Sequence, residues 1–235
     1  MWSGPRNIST ALMRAFENRP DTYVIDEPFY AYYLYETIDN HPMREEIISE
    51  GETSWDIVVE NITGEIPNGR RLWYQKHMAQ HNLPGKDLSW IKKMRNVLLI
   101  RHPKEVILSY IQNMPIKNIN QLGYPQQTDL FHKLSKIFDE EPLIIDAKDI
   151  LKNPKKMLFL LCNKLNISFC EEMLSWPSGH RDTDGIWRKH WYGNVEKSTG
   201  FHPYAISKTE LPSIYKKIYL ECMGHYQQLY QHRMR

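Results

Sequence analysis

Short apolar runs alternate with longer amphipathic segments along this chain. Four runs of four or five residues have the composition of brief buried strands: Thr22–Asp26, Leu72–Lys76, Val97–Ile100 and Leu143–Asp146. Apolar residues at helical spacing predict helices over Ser9–Asn18, Phe29–Ile38, Ser54–Glu65, Pro103–Gln112, Thr128–Asp139 and Pro154–Asn166. Strands separated by helices predict an α/β fold, in which a central parallel sheet is flanked by helices on both faces.

The C-terminal third has a different texture. Residues 175–207 are rich in Gly, Trp, Tyr, His and basic residues and have little periodicity, which is more typical of a lid or binding loop than of a passive connector. A C-terminal helix is predicted over 210–233. The 235 residues are of a suitable length for one domain, and we expect a single domain over 1–235.

Composition narrows the functional classes. Apolar residues make up 41% and charged residues 25%, as in a soluble globular protein, and 30 basic against 28 acidic side chains give no argument for nucleic-acid binding. The apolar runs are too short to span a membrane and no secretory signal is visible, so we expect a cytoplasmic protein without a membrane partner. Three cysteines without a CxxC pair favour reduced thiols, and the histidines form no metal-binding pattern.

The segment Trp2–Phe16 contains the parts of an anion site. A loop punctuated by Gly and Pro runs through Arg6 and Asn7 into Ser9 and Thr10, where a helix is predicted to begin. Turn N–H groups, hydroxyls, a guanidinium and a helix N-terminus together favour a phosphate-type anion. The second Gly and the Lys of a Walker A motif are missing. An N-cap serine beside a surface arginine would give the same residues.

A second group of polar residues follows a predicted strand. Arg101 lies at the strand end and Ser109 on the helix that begins at Pro103. Ligands of open α/β folds bind at this edge of the sheet, so the two side chains could hold different oxygens of one phosphate. A surface arginine and an ordinary helix serine are the alternative.

Together these segments resemble the sulfotransferase family of the P-loop superfold. Arg6, Ser9 and Thr10 match the basic residue and hydroxyl pair of the loop that holds the 5′-phosphosulfate of 3′-phosphoadenosine 5′-phosphosulfate (PAPS). Arg101, Pro103 and Ser109 match the Arg-x-Pro-x₅-Ser segment that holds its 3′-phosphate. A further segment, Ile144–Phe169, is similar to a later strand and helix of the family. The resemblance implies a three-layer P-loop-like fold and donor binding by Arg6, Asn7, Ile8, Ser9, Thr10, Arg101 and Ser109.

Two positions depart from the family pattern. Ile8 stands where the family usually has Gly, in a loop that needs positive φ or close backbone approach, so we expect a differently shaped loop or a smaller anion. The first strand is reduced to Met1–Ser3. Either the chain begins upstream of this Met or the central strand is a stub.

Sulfuryl transfer needs a base for the acceptor. Lys76 and His77 resemble the family's Lys-x-His strand end, with the intervening residue missing, and Glu27 follows the second strand. We favour His77 over Glu27 as the base because its ordinary pKa is near neutrality, with Lys76 and Arg6 as charged assistants. A hydrogen-bonded structural His and a turn-forming Glu are the alternatives.

The aperiodic segment 175–207 supplies a further candidate cation for the donor site. Lys197 and Gly200 are candidates for the family's C-terminal Arg-Lys-Gly element, which closes over the 3′-phosphate. The loop would then be a lid that excludes water, although a solvated basic loop has the same composition. The aromatics of Phe29–Tyr35 could line an acceptor pocket, but their helical spacing favours the core.

The predicted function is metal-independent, in-line transfer of a sulfuryl group from PAPS to a hydroxyl or amine of a small molecule. A non-catalytic nucleotide- or anion-binding protein on the same fold is the first alternative. A small-molecule kinase is the second, against which the missing Walker Lys counts.

Overall fold

A computed structural model describes residues 1–38 and 41–235, and five parallel strands form one sheet within them. The order is β2-β3-β1-β4-β5, so the short first strand is central. Trp2 pairs with His77 on one side and with Leu98 on the other. The strands are β1 (Trp2–Ser3), β2 (Thr22–Asp26), β3 (Leu72–Met78), β4 (Val97–Ile100) and β5 (Leu143–Asp146).

Helices cover both faces of the sheet and confirm the predicted α/β class. The strand predictions are met and the helix predictions are met with shifted ends, the largest at the C-terminal helix, which is predicted over 210–233 and spans Lys216–Tyr230 after a 3₁₀ turn at Ser213–Tyr215. Short 3₁₀ turns occupy several connections. None of the described helices is both long and apolar enough to cross a membrane. The helices are α1 (Ser9–Glu17), α2 (Tyr30–Glu36), α3 (Arg44–Glu50), α4 (Trp55–Thr63), α5 (Pro103–Tyr110), α6 (Tyr124–Phe138), α7 (Ala147–Lys152), α8 (Pro154–Lys164), α9 (Arg188–Trp191), α10 (Gly193–Glu196) and α11 (Lys216–Tyr230).

The central strands are apolar on both faces because both faces are covered. Along β4, Leu98 and Ile100 pack into the core that contains α5, α6 and α11, while Val97 and Leu99 pack into the core that contains α1 and α8. This alternation follows from the period of two along a strand. The alternation therefore fixes the face of the sheet on which each side chain at a strand end lies.

Helix caps explain several boundaries. Asn153 accepts a hydrogen bond from the amide of Lys156 and Pro154 starts α8, as the sequence predicts. Asp146 caps α7, a helix that the sequence analysis did not predict. The prediction for α6 begins four residues late, because the structure starts this helix at Tyr124, immediately after Gly123 in the left-handed region.

Residues 175–207, which we call the lid segment, contain two helical turns, α9 and α10, and much irregular chain. An antiparallel bridge between Ser175 and Gly200 closes its base. The Trp176 indole donates a hydrogen bond to Ser198 across this base at 3.1 Å. The lid segment is therefore a loop whose two ends lie together.

Candidate functional site

The loop after β1 has an unusual backbone. Arg6 and Ile8 have φ values of 60° and 58°, in the left-handed region that favours glycine. The Asn7 amide donates to the Leu99 carbonyl at 3.2 Å and ties the loop to β4. A left-handed β-branched residue costs about 1–3 kcal/mol. The loop thus adopts at Ile8 the backbone for which the family usually provides Gly.

The N-terminus of α1 opens from this loop without a side-chain cap. Ile8 is its N-cap and makes no capping hydrogen bond. The side chains of His102, Asp146 and Asn153 cap α5, α7 and α8, whereas other described helices such as α4 and α6 are uncapped like α1, so α1 is distinguished by its position at the cavity. The first-turn N–H groups of α1, beside the hydroxyls of Ser9 and Thr10, are therefore suited to an anion.

Arg6 is a cation with neutral partners. Its Nε donates to the Ser109 hydroxyl at 2.9 Å, and its terminal nitrogen donates to the Trp191 carbonyl at 3.2 Å. Among the described residues it forms no ion pair. Burial, and secondarily the Arg101 charge, lower its pKa below the ordinary value. A half-buried guanidinium without a counter-charge favours an anionic ligand.

Arg101 lies beside Arg6 in the same wall. It donates to the Arg6 carbonyl at 2.7 Å and forms an ion pair with Glu105, Nε to Oε2, at 2.9 Å. Tyr204 of the lid segment also donates to Glu105, at 2.9 Å. Arg6 lies between Arg101 and Ser109, because its carbonyl accepts from Arg101 and its Nε donates to Ser109.

These groups line one cavity of about 440 Å³ between the sheet edge and the lid segment. Most of the predicted site residues line it: Arg6, Asn7, Ile8, Ser9, Thr10, Glu27, Lys76, Arg101, Ser109 and Gly200. Its other walls come from α2, from the end of β3 and from the lid segment, and they include Tyr30, Tyr33, His41, His81, Trp191 and Tyr192.

Lys76 occupies the centre of a buried polar cluster. Its ammonium donates to Asp26 Oδ1 at 2.8 Å, to Glu27 Oε1 at 2.7 Å and to the Tyr192 hydroxyl at 2.5 Å. The side chains of Lys76 and Asp26 are each 1% exposed. The two carboxylates hold the pKa of Lys76 well above its ordinary value, against the larger opposing effect of burial.

Glu27 has the protonation behaviour of a base that works near neutral pH. Burial raises its pKa to about 7, and the nearby Asp26 charge acts in the same direction while Lys76 opposes both. Its backbone is also left-handed, with φ at 42° immediately before Pro28. Glu27 lines the cavity.

The preference for His77 as the base is corrected by the geometry. Successive side chains on β3 alternate, so His77 points away from Lys76, is 2% exposed and lies outside the cavity lining. Its ring stacks on Trp2 at 4.5 Å between centroids, and Nε2 meets the Gln75 side chain at 3.1 Å. Burial lowers its pKa well below the ordinary value. These contacts are those of a structural histidine.

The prediction for the lid cation also needs correction. Lys197 is exposed and lies outside the cavity lining, because it follows the last turn of α10 on the outer side of the lid segment. Gly200 does line the cavity. Of the aromatics in Phe29–Tyr35, Phe29 and Tyr32 pack in the core, whereas Tyr30 and Tyr33 reach the cavity.

Three functional positions escaped the sequence analysis. Glu105 follows Arg101 by four residues and forms an ion pair with it. This spacing favours an ion pair when both residues lie on one helix, but Arg101 precedes the first residue of α5. His81 stacks between Tyr30 and Tyr33, and its Nε2 lies 4.0 Å from Glu27 Oε2. Tyr192 comes from the aperiodic lid segment, where no pattern indicates which aromatic turns inward.

No group of three or more His, Cys, Asp or Glu side chains is arranged to hold a metal ion in residues 1–38 and 41–235. The fold and cavity define an α/β protein of the P-loop-like type, with a five-stranded parallel sheet and a cavity at the carboxyl edge of that sheet. A family profile described as "Sulfotransferase domain" matches residues 1–232, so the chain belongs to the sulfotransferase family.

Solved structures support the same fold. A sulfotransferase domain from the Synechococcus PCC 7002 olefin synthase has a TM-score of 0.58 and 16% identity, with 96% of this chain and 92% of that chain covered. A sulfotransferase from Alicyclobacillus acidocaldarius has a TM-score of 0.54 and 11% identity, covering 99% and 96%. At these identities the likeness concerns the fold.

Two curated relatives from Arabidopsis thaliana are more similar in sequence. Branched-chain-amino-acid aminotransferase-like proteins 2 and 1 are 31% and 33% identical over 96% and 85% of this chain. The chain spans 40% and 36% of their respective lengths. Each of these relatives is more than twice as long as this chain, so its name refers to a longer protein.

Proposed function

We propose that this sulfotransferase-family chain transfers a sulfuryl group from PAPS to a hydroxyl or amine of a small molecule. The observation that carries the proposal is Arg6, a half-buried guanidinium without an ion-pair partner among the described residues, next to the uncapped N-terminus of α1. Arg101 and Ser109 extend this wall and suit a second anionic group. A donor with two separated phosphate-type groups fits both parts.

The residues divide the chemical work between two sides of the cavity. When bound, PAPS supplies the sulfuryl group, and PAP (3′-phosphoadenosine 5′-phosphate) leaves as the bond from sulfur to the bridging oxygen breaks. Arg6 and the N–H groups of α1 stabilise the charge that develops on the departing phosphate. Glu27 accepts the acceptor's proton as the new bond to sulfur forms. Lys76 holds Glu27 in place.

Calorimetric titration of the full chain tests donor binding. PAP is expected to bind, and ATP with Mg²⁺ is not. Arg101→Ala should weaken PAP binding at least about tenfold, because it removes charge-assisted hydrogen bonds to an anion. Arg95→Ala is the matched control, since Arg95 is exposed and lies outside the cavity lining.

The alternatives give different results in the same titration. A preference for ATP with Mg²⁺ would replace this proposal by a kinase. PAP binding without sulfate transfer to any member of an acceptor panel would favour a non-catalytic binding protein.

A further inference from the structure

Tyr192 is the buried contact between the two short helices of the lid segment. Both α9 and α10 lie within the described residues and contain no buried residue, whereas Tyr192 between them is 5% exposed. Tyr192 therefore gives this part of the lid segment its most deeply buried contact, beside those that Trp187 makes with Tyr30 and that Trp191 makes with Arg6 and Tyr110.

The Tyr192 hydroxyl is saturated by the polar cluster beneath it. It donates to Asp26 Oδ2 at 2.6 Å and accepts from Lys76 at 2.5 Å. The Trp187 indole donates to the same oxygen at 3.2 Å. The Lys76 ammonium also lies 4.9 Å from the centroid of the Tyr192 ring. Two charged partners make this anchor stronger than a neutral hydrogen bond.

We propose that Tyr192 is a positioning residue that latches the lid segment over Asp26, Glu27 and Lys76 and keeps water from the two carboxylates. The latch deepens the proposed function, and its role in catalysis rests on it, because Glu27 is the base there. Water in this chamber would compete with the acceptor for the sulfuryl group. The Tyr192 hydroxyl thus couples closure of the lid segment to the protonation state of Glu27.

The environment of Glu27 shows why water matters. Burial is the largest cause of its raised pKa, so opening the lid segment returns that pKa toward its ordinary value. The pKa of His81 is held well below its ordinary value by burial, so His81 stays neutral in the same pH range. The titratable groups that face Glu27 are Asp26, Tyr30, Lys76, His81 and Tyr192.

The first test measures the pKa of Glu27 directly. The full chain is labelled with ¹³C-glutamate, and the Glu27 carboxyl signal is assigned by its loss in Glu27→Gln. The wild type should titrate near 7, and Tyr192→Phe should lower that pKa by about one unit or more. Tyr204→Phe removes another hydroxyl of the lid segment, one that bonds Glu105, and should leave the pKa unchanged. An unchanged pKa in Tyr192→Phe overturns the latch.

The second test measures opening of the lid segment. Trypsin cuts after Lys189, which is exposed on α9, and native-state cleavage follows the open population. Tyr192→Phe should be cut about tenfold faster than wild type, as the loss of one charge-assisted hydrogen bond predicts. Equal cleavage rates would contradict the proposal. If Tyr192→Phe does not fold, Trp187→Phe tests the same anchor and should shift both readouts in the same direction.

Neither test uses a donor or an acceptor. A failed PAP titration would therefore remove the proposed function and leave the latch standing, whereas unchanged Glu27 and trypsin readouts would remove the latch alone.

Discussion

Glu27 and its neighbour Asp26 show how two adjacent carboxylates can differ in chemistry because their surroundings differ. Asp26 lies deeper and is bonded by Lys76 and Tyr192, whereas Glu27 has one oxygen on Lys76 and the other facing the cavity beside His81. Burial then favours the protonated form of Glu27. The two adjacent carboxylates therefore differ in their surroundings, and the proposed function assigns the role of base to Glu27 alone.

Replacing Glu27 by Gln should separate catalysis from donor binding. Removal of a general base is expected to lower sulfuryl transfer by about 10²- to 10⁴-fold. PAP affinity should change less than about threefold, because Glu27 lies on the acceptor side of the cavity. Initial rates and calorimetry measure the two quantities. Glu60→Gln, at an exposed position, is the control for the substitution itself.

Glu27 also predicts a pH dependence of stability. Its pKa rises from 4.5 in the unfolded chain to about 7 in the fold. Its contribution to stability is therefore complete below the unfolded pKa and is lost as the pH rises through about 7. Urea unfolding between pH 5 and 8 (approximate limits of that window) should show a steeper fall for wild type than for Glu27→Gln. Parallel curves would contradict the assignment.

At the scale of single residues, the sequence predicts which side chains have suitable chemistry for the site, but it does not predict the direction in which those side chains point. Lys76 and His77 are adjacent on β3, and alternation puts them on opposite faces. Every residue at this end of β3 is buried, so the residue pattern does not indicate which face of the strand meets the cavity. Arg6, Arg101 and Ser109 could be found because motif spacing predicts them together.

Among the elements, α1 has a second role as the anchor of the lid segment. Arg14 on its buried face forms an ion pair with Asp184 at 2.5 Å, and the two side chains are 1% and 0% exposed. Glu17, one turn later, binds Arg14 and accepts a hydrogen bond from Thr183. The helix that follows the loop from Gly4 to Ile8 therefore also holds the start of the lid segment.

Breaking this ion pair should destabilise the protein strongly. Asp184→Ala leaves the Arg14 charge buried beside a single partner, and we expect a loss of about 3–5 kcal/mol in the free energy of unfolding. Chemical denaturation measures it. The double variant Arg14→Met with Asp184→Leu should recover most of the loss, because a buried apolar pair replaces the charges. A double variant as unstable as Asp184→Ala would show that the pair itself is needed.

Elements with strong local signals were predictable, and those formed by tertiary contact were not. The apolar runs of β2 to β5 and the Asn153-Pro154 start of α8 confirm the sequence analysis. The short helices α9 and α10 have no buried stripe of their own, so periodicity could not indicate them. Their position depends on Tyr192 and on the bridge from Ser175 to Gly200.

Across the whole molecule, the sheet order divides the cavity by charge. The β1 and β4 ends present Arg6 and Arg101, while the β2 and β3 ends present Asp26 and Glu27 against the single charge of Lys76. In the proposed function, the donor side is therefore cationic and the acceptor side is not. Tyr30 and Tyr33, which stack on His81 beside Glu27, add aromatic surface to the side of the cavity that contains Glu27.

This division predicts preference for an uncharged acceptor. With PAPS as donor, 4-methylphenol should be sulfated at least about tenfold faster than 4-hydroxyphenylacetate, since a carboxylate would lie near the negative charges of Asp26 and Glu27. The two probes share a phenol and differ in charge. Rates of PAP release compare them, and equal or reversed rates would place a further cation on the acceptor side.

The central position of β1 also governs how the molecule comes together. Its two residues pair only with strands that follow much later in the chain, Trp2 with His77 and with Leu98. Contacts between such distant segments carry a large loop-closure cost and form slowly. The loop from Gly4 to Ile8 therefore acquires its shape only after β3 and β4 are aligned. Donor binding is consequently a property of the completed sheet, and a bound nucleotide would stabilise the folded chain against every partly folded one.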